Sequence, residues 1–228
     1  CIRDSLVTVD KTQGVRFKYL LLDPRDAFEP IVSSARAIIL AGGTMEPMSD
    51  FEQLVPRDRF TTFSCGHIVP SSHVMGAVVP LGPKGQTLEF THASWQQPAL
   101  LDELAVALGN YTNIVPHGMV VFFPSYATLD AALARWQHTH ALERLSRRKK
   151  VLIEPKDAKD VDAVLQQYAA TIADPPPSSP KGAVLLAVVG AKLSEGINFQ
   201  DDLARCVVMI GLPFPHAKSR ELAERLAF

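Results

Sequence analysis

The sequence predicts an α/β fold built on a doubly wound parallel sheet. From residue 98 onward, short apolar runs alternate with longer segments in which apolar residues recur at helical spacing. The apolar runs are hydrophobic at consecutive positions, as expected of parallel strands that helices cover on both faces. In such sheets ligands bind beyond the carboxyl ends of the strands. The segments 124–126, 154–156, 190–198 and 212–216 are therefore expected to meet at one edge of the sheet.

Apolar periodicity gives the elements in chain order. Strands are predicted at 16–23 and 35–43 and, within a proline-rich stretch, at 61–69 and 86–93. Helices are predicted at 99–110, where Gly109 is a stop signal, at 127–137, at 158–173 and from Lys218 onward. The remaining strands are predicted within 118–126, ending at Pro124, and at 149–155, 183–189 and 204–213. DPPPSSPKG (174–182) is predicted to be a surface insertion.

Composition indicates the environment of the protein more clearly than its function. A chain of 228 residues that is 47% hydrophobic can bury a full core. Its formal net charge of −1 does not indicate a nucleic-acid or membrane binder, although a local patch would suffice for either. No apolar run approaches the roughly 20 residues of a membrane helix, so we expect a soluble protein with no membrane partner. The three widely spaced cysteines indicate buried free thiols in a reducing compartment.

Motifs of a self-contained enzyme are absent from the sequence. It contains no G-x-x-x-x-G-K-[ST] phosphate loop, no G-x-S-x-G elbow and no H-E-x-x-H pair. Cys65, His67 and His73 form a sparse pattern that is more typical of a packed thiol and two surface imidazoles than of a metal site, so no metal is predicted. A small-molecule enzyme would need a nucleophile–base pair or a metal, and this interpretation therefore ranks last.

The loop GAKLSEGINF (190–199), which follows the apolar run AVLLAVV, is the first candidate site. Gly190 and Gly196 can adopt a positive φ or let the backbone approach a ligand. Four side chains between and after them can order the loop or bind phosphate and sugar groups: Lys192, Ser194, Glu195 and Asn198. The alternative, a polar turn between two buried strands, is equally compatible with the spacing.

Three further segments carry polar residues at predicted element ends. FFPSY (122–126) could bind phosphate through Ser125 and stack a base on Tyr126, although Ser125 as a helix N-cap is the more common arrangement. GGTMEP (42–47) brings backbone close to a partner or is only a turn. RLSRRKK (144–150) is either a solvated helix end or, near the same sheet edge, a track for a phosphate backbone.

The sequence resembles the XPD-like iron–sulfur DEAH-box DNA helicases of superfamily 2. Four segments match the later motifs of that family in the same order: GGTMEP, VVFFPSY, GAKLSEGINF and RCVVMIGLPFP. The ChlR/Chl sister-chromatid-cohesion subfamily is the most similar, through AGGTMEPMSDF, TFSCGHIVP and SEGINF. The resemblance runs from about Phe17 to the end of the chain. It implies two RecA-like lobes, with residues 1–58 ending the first lobe and residues 59–228 forming most of the second, incomplete at its C-terminus.

The resemblance also implies roles for individual residues. A nucleotide-cleft role is implied for Gly43, Thr44, Glu195, Gly196 and Asn198; many relatives have Asp at the position of Asn198, which weakens its expected ribose contact. A DNA-binding role is implied for Ser125, Tyr126, Lys192 and Ser194, and a DNA or inter-lobe role for Arg205 and Arg220. The loop at 190–199 would then face DNA at one end and the nucleotide at the other.

This sequence lacks motifs that helicases of this family need for ATP hydrolysis. Phosphoryl transfer needs a phosphate cradle, Mg²⁺ ligands and an arginine, so the isolated chain is expected to lack ATPase activity. The resemblance implies ATP, Mg²⁺ and a 4Fe-4S cluster in a longer nuclear protein that acts on single-stranded or forked DNA with replication and cohesion factors. The alternative function is a catalytically inactive α/β module that binds nucleic acid or protein.

Overall fold

The structure, a computed structural model, describes residues 3–10, 14–43, 45–52, 54–55, 59–175, 182–193, 199–213 and 220–227. The chain divides into two compact units, one formed by residues 76–213 and the other by residues 1–75 together with 214–228. The predicted boundary between helicase lobes at residues 58 and 59 stays a prediction.

The larger unit contains a parallel four-stranded sheet. Its strands are β3 (Gly118–Phe123), β4 (Lys150–Ile153), β5 (Ala183–Val188) and β6 (Cys206–Met209), in the spatial order β4-β5-β3-β6. The register pairs Phe123 with Val188, Ile153 with Leu186 and Phe122 with Met209. All four predicted strands from residue 118 onward are therefore present, each shorter than its apolar run.

Helices cover both faces of this sheet. Helices α3 (Pro98–Ile114), α4 (Tyr126–His138) and α5 (Ala141–Ser146) lie on one face, and α6 (Val161–Ala173) lies on the other. Because side chains alternate along a strand, Val121 packs against the first group of helices and Val120 against α6. This two-sided burial explains the continuous apolar runs, and the predicted doubly wound α/β fold is confirmed.

Two buried polar contacts position these layers. The indole Nε1 of Trp136 donates to the carbonyl oxygen of Leu101 at 2.8 Å, joining α4 to α3. On the other face, the hydroxyl of Tyr168 donates to the carbonyl oxygen of Leu203 at 2.6 Å, and burial raises the pKa of Tyr168. Each large aromatic side chain thus buries its apolar body while its polar atom is satisfied.

The larger unit differs from the prediction at three places. Helix α3 continues past Gly109 to Ile114, because Tyr111 and Thr112 still pack inward and offset the roughly 1 kcal/mol that glycine costs inside a helix. Residues 86–93 form no strand beyond a single bridge between Leu81 and Thr87. Helix α5 was not predicted, since its six residues are too few to show a helical period.

The other unit begins with an antiparallel pair, β1 (Arg3–Asp10) and β2 (Gly14–Leu21), followed by α1 (Arg25–Ser34), α2 (Ser49–Glu52) and, near the end of the chain, α7 (Arg220–Ala227). Strand β2 and helix α7 were predicted. The predicted strands at 35–43 and 61–69 are wrong. Ile39 is 90% exposed, and within the described residues no strand pairs with either segment.

Within the part of the chain that the structure describes, every helix is too short or too polar to span a bilayer.

Candidate functional site

The four parallel strands of the larger unit end at one edge of the sheet, and the loops that follow them meet there. We call this edge the rim and define it as residues 124–126, 154–156, 189–193 and 210–213. Backbone bonds continue past the strands, since Val189 N–H donates to the Phe123 carbonyl at 2.9 Å and Glu154 N–H donates to the Leu186 carbonyl at 2.8 Å. The predicted convergence of these loops is confirmed for their described residues.

Ser125 begins helix α4 as its N-cap. Its Oγ accepts from the Thr128 backbone N–H at 3.2 Å, and the Thr128 hydroxyl oxygen accepts from the Ser125 N–H at 3.1 Å. This reciprocal pair satisfies two backbone donors that the helix itself leaves free. The N-cap interpretation of Ser125 is confirmed, and its DNA-binding role stays a prediction.

Tyr126 connects the loop after β3 to the loop after β4. Its ring is partly buried against the core, and its hydroxyl donates to the carbonyl oxygen of Pro155 at 3.4 Å. Burial raises the pKa of Tyr126, and the negative charge of Glu154 adds to this effect. The phenol therefore stays neutral and can donate a hydrogen bond at physiological pH.

Lys192 is exposed at the rim. Its Nζ donates to the carbonyl oxygen of Ala158 at 3.0 Å, which uses one of the three ammonium N–H groups. Gly190 has a φ of +72°, so the chain turns there through a conformation that glycine adopts without strain, as the sequence predicted. The turn leaves the Lys192 ammonium at the surface while the next residue, Leu193, is completely buried.

Glu154 holds this loop and was not identified from the sequence. Only 3% of the residue is exposed, and its carboxylate accepts two backbone N–H groups: Oε2 from Val188 at 2.7 Å and Oε1 from Leu193 at 3.0 Å. The first bond ties the end of β5 to the end of β4, and the second fixes the loop next to Lys192. The signal in the sequence is a single acidic residue between an apolar strand and a proline, in LIEP.

The remaining predicted residues are not all at the rim. Gly43 lies in the other unit, exposed and with open space around its Cα. Arg205 is exposed at the amino end of β6, where its N–H donates to the Gly118 carbonyl at 2.9 Å, so it lies at the opposite edge of the sheet. Arg220 begins α7. Five predicted residues lie outside the described ones: Thr44, Ser194, Glu195, Gly196 and Asn198.

The basic run RLSRRKK lies at the edge opposite the rim. It spans the end of α5 and the turn that leads into the amino end of β4. The interpretation that placed this run beside the other candidate loops is wrong. The run comes before β4 and the rim loop comes after it, so the full length of β4 lies between them.

The described cysteines and histidines show no metal-binding arrangement. His67 Nδ1 accepts from the Val69 backbone N–H at 3.0 Å. Cys65 is exposed, so the packed thiol predicted there is wrong. Among the described residues no group of three or more His, Cys, Asp or Glu side chains is placed to hold a metal ion.

Residues 108–228 match the family model described as the helicase C-terminal domain. The chain is 45% identical over 237 aligned positions to "ATP-dependent DNA helicase DDX11" of Mus musculus and of Danio rerio, in each case over 99% of this chain and 26% or 27% of the relative. It is 42% identical to "ATP-dependent DNA helicase CHL1" of Sclerotinia sclerotiorum, over 94% of this chain and 26% of that protein.

The chain thus spans about a quarter of the length of these curated relatives. The resemblance that the motifs indicated is confirmed, and so is a parallel α/β sheet of the kind expected for a second RecA-like lobe. The family model covers more than half of the 228 residues, including Tyr126, Glu154 and Lys192. The chain belongs to the helicase C-terminal domain family.

Proposed function

We propose that this chain is the C-terminal part of an ATP-dependent DNA helicase that couples ATP hydrolysis between two lobes to translocation on single-stranded DNA and duplex unwinding. The observation that carries the proposal is the rim loop, in which a buried Glu154 holds Leu193 while the adjacent Lys192 ammonium faces solvent. The family match and the names of the relatives support the same activity.

The DNA side of the rim contains a cation, an aromatic ring and hydroxyl groups. Lys192 would neutralise a phosphate of the strand, and Ser194 would donate to it. Ser125 and Tyr126 would contact the same strand from the start of α4, the tyrosine through the part of its ring that remains accessible. Arg205 and Arg220 would make DNA or inter-lobe contacts.

The nucleotide side would consist of Gly43 and Thr44 from the first lobe and of Glu195, Gly196 and Asn198 from the loop after Leu193. ATP and Mg²⁺ would supply the phosphoryl group and the charge neutralisation for its transfer. The chain contains no G-x-x-x-x-G-K-[ST] sequence, so we expect these 228 residues alone to lack ATPase activity.

An iron–sulfur cluster does not fit the residues of this chain. Such clusters are held by four cysteine thiolates, whereas the sequence has three cysteines. Cys65 is exposed, and burial raises the pKa of Cys206, which keeps that thiol protonated. A 4Fe-4S cluster, like the nuclear location and the cohesion role that the subfamily implies, would belong to the full-length protein.

Replacement of Lys192 by alanine in the full-length protein tests the proposal. Loss of one phosphate contact should weaken single-strand binding and reduce the slope of log K against log salt by about 0.7, while ATP hydrolysis becomes uncoupled from unwinding. Fluorescence anisotropy with a labelled oligonucleotide and a strand-displacement assay measure both effects.

Lys159→Ala is the matched control, because it removes a nearby lysine whose ammonium already pairs with Asp157 at 2.8 Å. We expect it to bind and unwind like the wild type. Normal single-strand affinity and unwinding by Lys192→Ala would contradict the helicase assignment of the loop and favour an inactive binding module.

A further inference from the structure

We propose that a groove between α3 and α5 is a second nucleic-acid contact, which takes the phosphodiester backbone of double-stranded DNA. The groove has a volume of about 360 Å³ and lies outside the rim. None of the residues assigned to DNA above lines it. The choice of DNA as the polyanion rests on the proposed helicase function, but the groove is a separate surface.

Three arginines give the groove its positive charge. Arg144 is on α5, and Arg147 and Arg148 follow three and four residues later, in a turn whose N–H groups still donate to carbonyls of α5. Residues at this spacing lie on one side of a helix. All three line the groove.

Neighbouring acids compensate these three cations only in part. The Arg144 Nη1 donates to the Thr139 carbonyl at 3.0 Å, and in the described part of the chain neither Arg147 nor Arg148 forms an ion pair. Glu143 on α5 bonds His140 at 3.0 Å, and this bond, with smaller contributions from the charges of Arg147 and Arg144, lowers the pKa of Glu143, so its carboxylate offsets part of the arginine charge. The groove is therefore a concentrated positive patch on a chain whose formal net charge is −1.

Lys149, the next residue of the basic run, is not part of this exposed charge. It is 2% exposed, and its Nζ donates to the carbonyl oxygen of His117 at 2.6 Å. Burial lowers its pKa. Its position fixes the start of β4, and with it the end of the turn that carries Arg147 and Arg148.

The opposite wall fits a phosphate backbone better than an acidic peptide. Helix α3 contributes the side-chain amides of Asn110 and Asn113, which can donate to phosphate and sugar oxygens beside guanidinium groups that bind phosphate through two parallel bonds. The apolar lining residues are Ala105, Val106, Gly109, Ala141 and Leu145, and none of them is aromatic. Peptide interfaces are typically anchored by aromatic side chains in well-packed pockets, whereas neighbouring guanidinium and amide donors match the oxygens of a phosphate backbone.

The same lining favours a duplex over a single strand. No aromatic residue lines the groove, so unstacked bases have no ring on which to stack. The groove lies before β4, and the rim lies after it, so the four residues of β4 separate the two surfaces by about 13 Å. The double-stranded arm of a forked DNA, whose single strand lies at the rim, could reach the groove.

Salt-dependent binding by the full-length protein tests this contact. Arg147→Gln/Arg148→Gln is compared with the charge-preserving Arg147→Lys/Arg148→Lys, using a blunt duplex, a single-stranded oligonucleotide and polyglutamate as separate probes. For the duplex we expect the glutamine variant to reduce the slope of log K against log salt by about 1.8, at 0.9 for each phosphate contact. The lysine variant should keep the wild-type slope, and thermal unfolding should show that both variants are folded.

An unchanged duplex slope and affinity in the glutamine variant would overturn the proposal. A loss confined to the single strand, or to polyglutamate, would overturn it as well, because the groove would then take another ligand. The outcome is separable from the rim proposal. If Lys192→Ala is impaired and the groove variant binds duplex normally, only the groove assignment fails; if the results are reversed, only the rim assignment fails.

Discussion

Glu154→Gln is the most informative single substitution, because it keeps the size of a buried side chain and removes its charge. The carboxylate accepts from Val188 at 2.7 Å and from Leu193 at 3.0 Å, one oxygen for each donor. A glutamine has only one carbonyl oxygen, and its NH₂ group cannot accept. One of the two backbone N–H groups must therefore lose its acceptor, and the other hydrogen bond loses its charge.

The expected loss follows from these two bonds. Replacing the charged acceptor by a neutral one weakens the remaining hydrogen bond by about 1 kcal/mol, and a buried donor left without an acceptor costs about 1–3 kcal/mol. We therefore expect the free energy of unfolding to fall by about 2–4 kcal/mol. For a chain of this length that lowers Tm by about 4–16 °C.

Urea unfolding measures this loss, and amide hydrogen exchange locates it at Val188 and Leu193. Glu89→Gln is the control, since Glu89 is exposed and its replacement should change stability by less than about 0.5 kcal/mol. Wild-type stability together with slow exchange at Leu193 in Glu154→Gln would refute the view that the carboxylate holds the loop.

Two further substitutions test the packing that positions the sheet. Trp136→Phe removes the donor to Leu101 and part of a fully buried ring, so we expect a loss of about 2–4 kcal/mol in urea unfolding. Asp102 bonds Arg135 at 2.6 Å, which lowers the pKa of Asp102 below its ordinary 3.8. Its stabilisation is therefore present at neutral pH and lost as pH falls below about 4. For this one-third-exposed pair we expect about 1 kcal/mol, seen as a smaller difference between wild type and Asp102→Asn at pH 3 than at pH 7.

The parallel sheet could be predicted from the sequence because its strands are buried on both faces. Runs such as AVLLAVV have no polar face, and this pattern is found where helices cover a sheet from both sides. The same reasoning failed at ARAIILAGG. That run is apolar, but Ile39 is 90% exposed, and no described strand pairs with the segment. An apolar run becomes a strand only when partners are available, and the run itself does not specify them.

The candidate site could be predicted only in part. Lys192 and Tyr126 are polar residues next to strand ends, and parallel topology alone brings such residues to one edge. Glu154 was missed because its importance comes from two backbone N–H groups that lie 34 and 39 residues further along the chain. Arg205 lies at the amino end of β6, opposite the rim, and this position agrees with the predicted parallel strand at 204–213.

The position of Leu193 sets a condition on how the rim loop could couple two ligands. Its side chain is fully buried, and its N–H is bound to Glu154, so it is a fixed point between the exposed Lys192 and the residues that follow. The free energy expected from the Glu154 bonds, about 2–4 kcal/mol, is similar to the 1–3 kcal/mol typical of coupling between two sites. A nucleotide that contacts the loop after Leu193 could therefore change the position of Lys192 only if Leu193 moves together with Glu154, to which its N–H is bound. If so, Glu154→Gln should reduce the effect of ATP on single-strand affinity although Lys192 is intact, and an unchanged effect would mean that coupling takes another path.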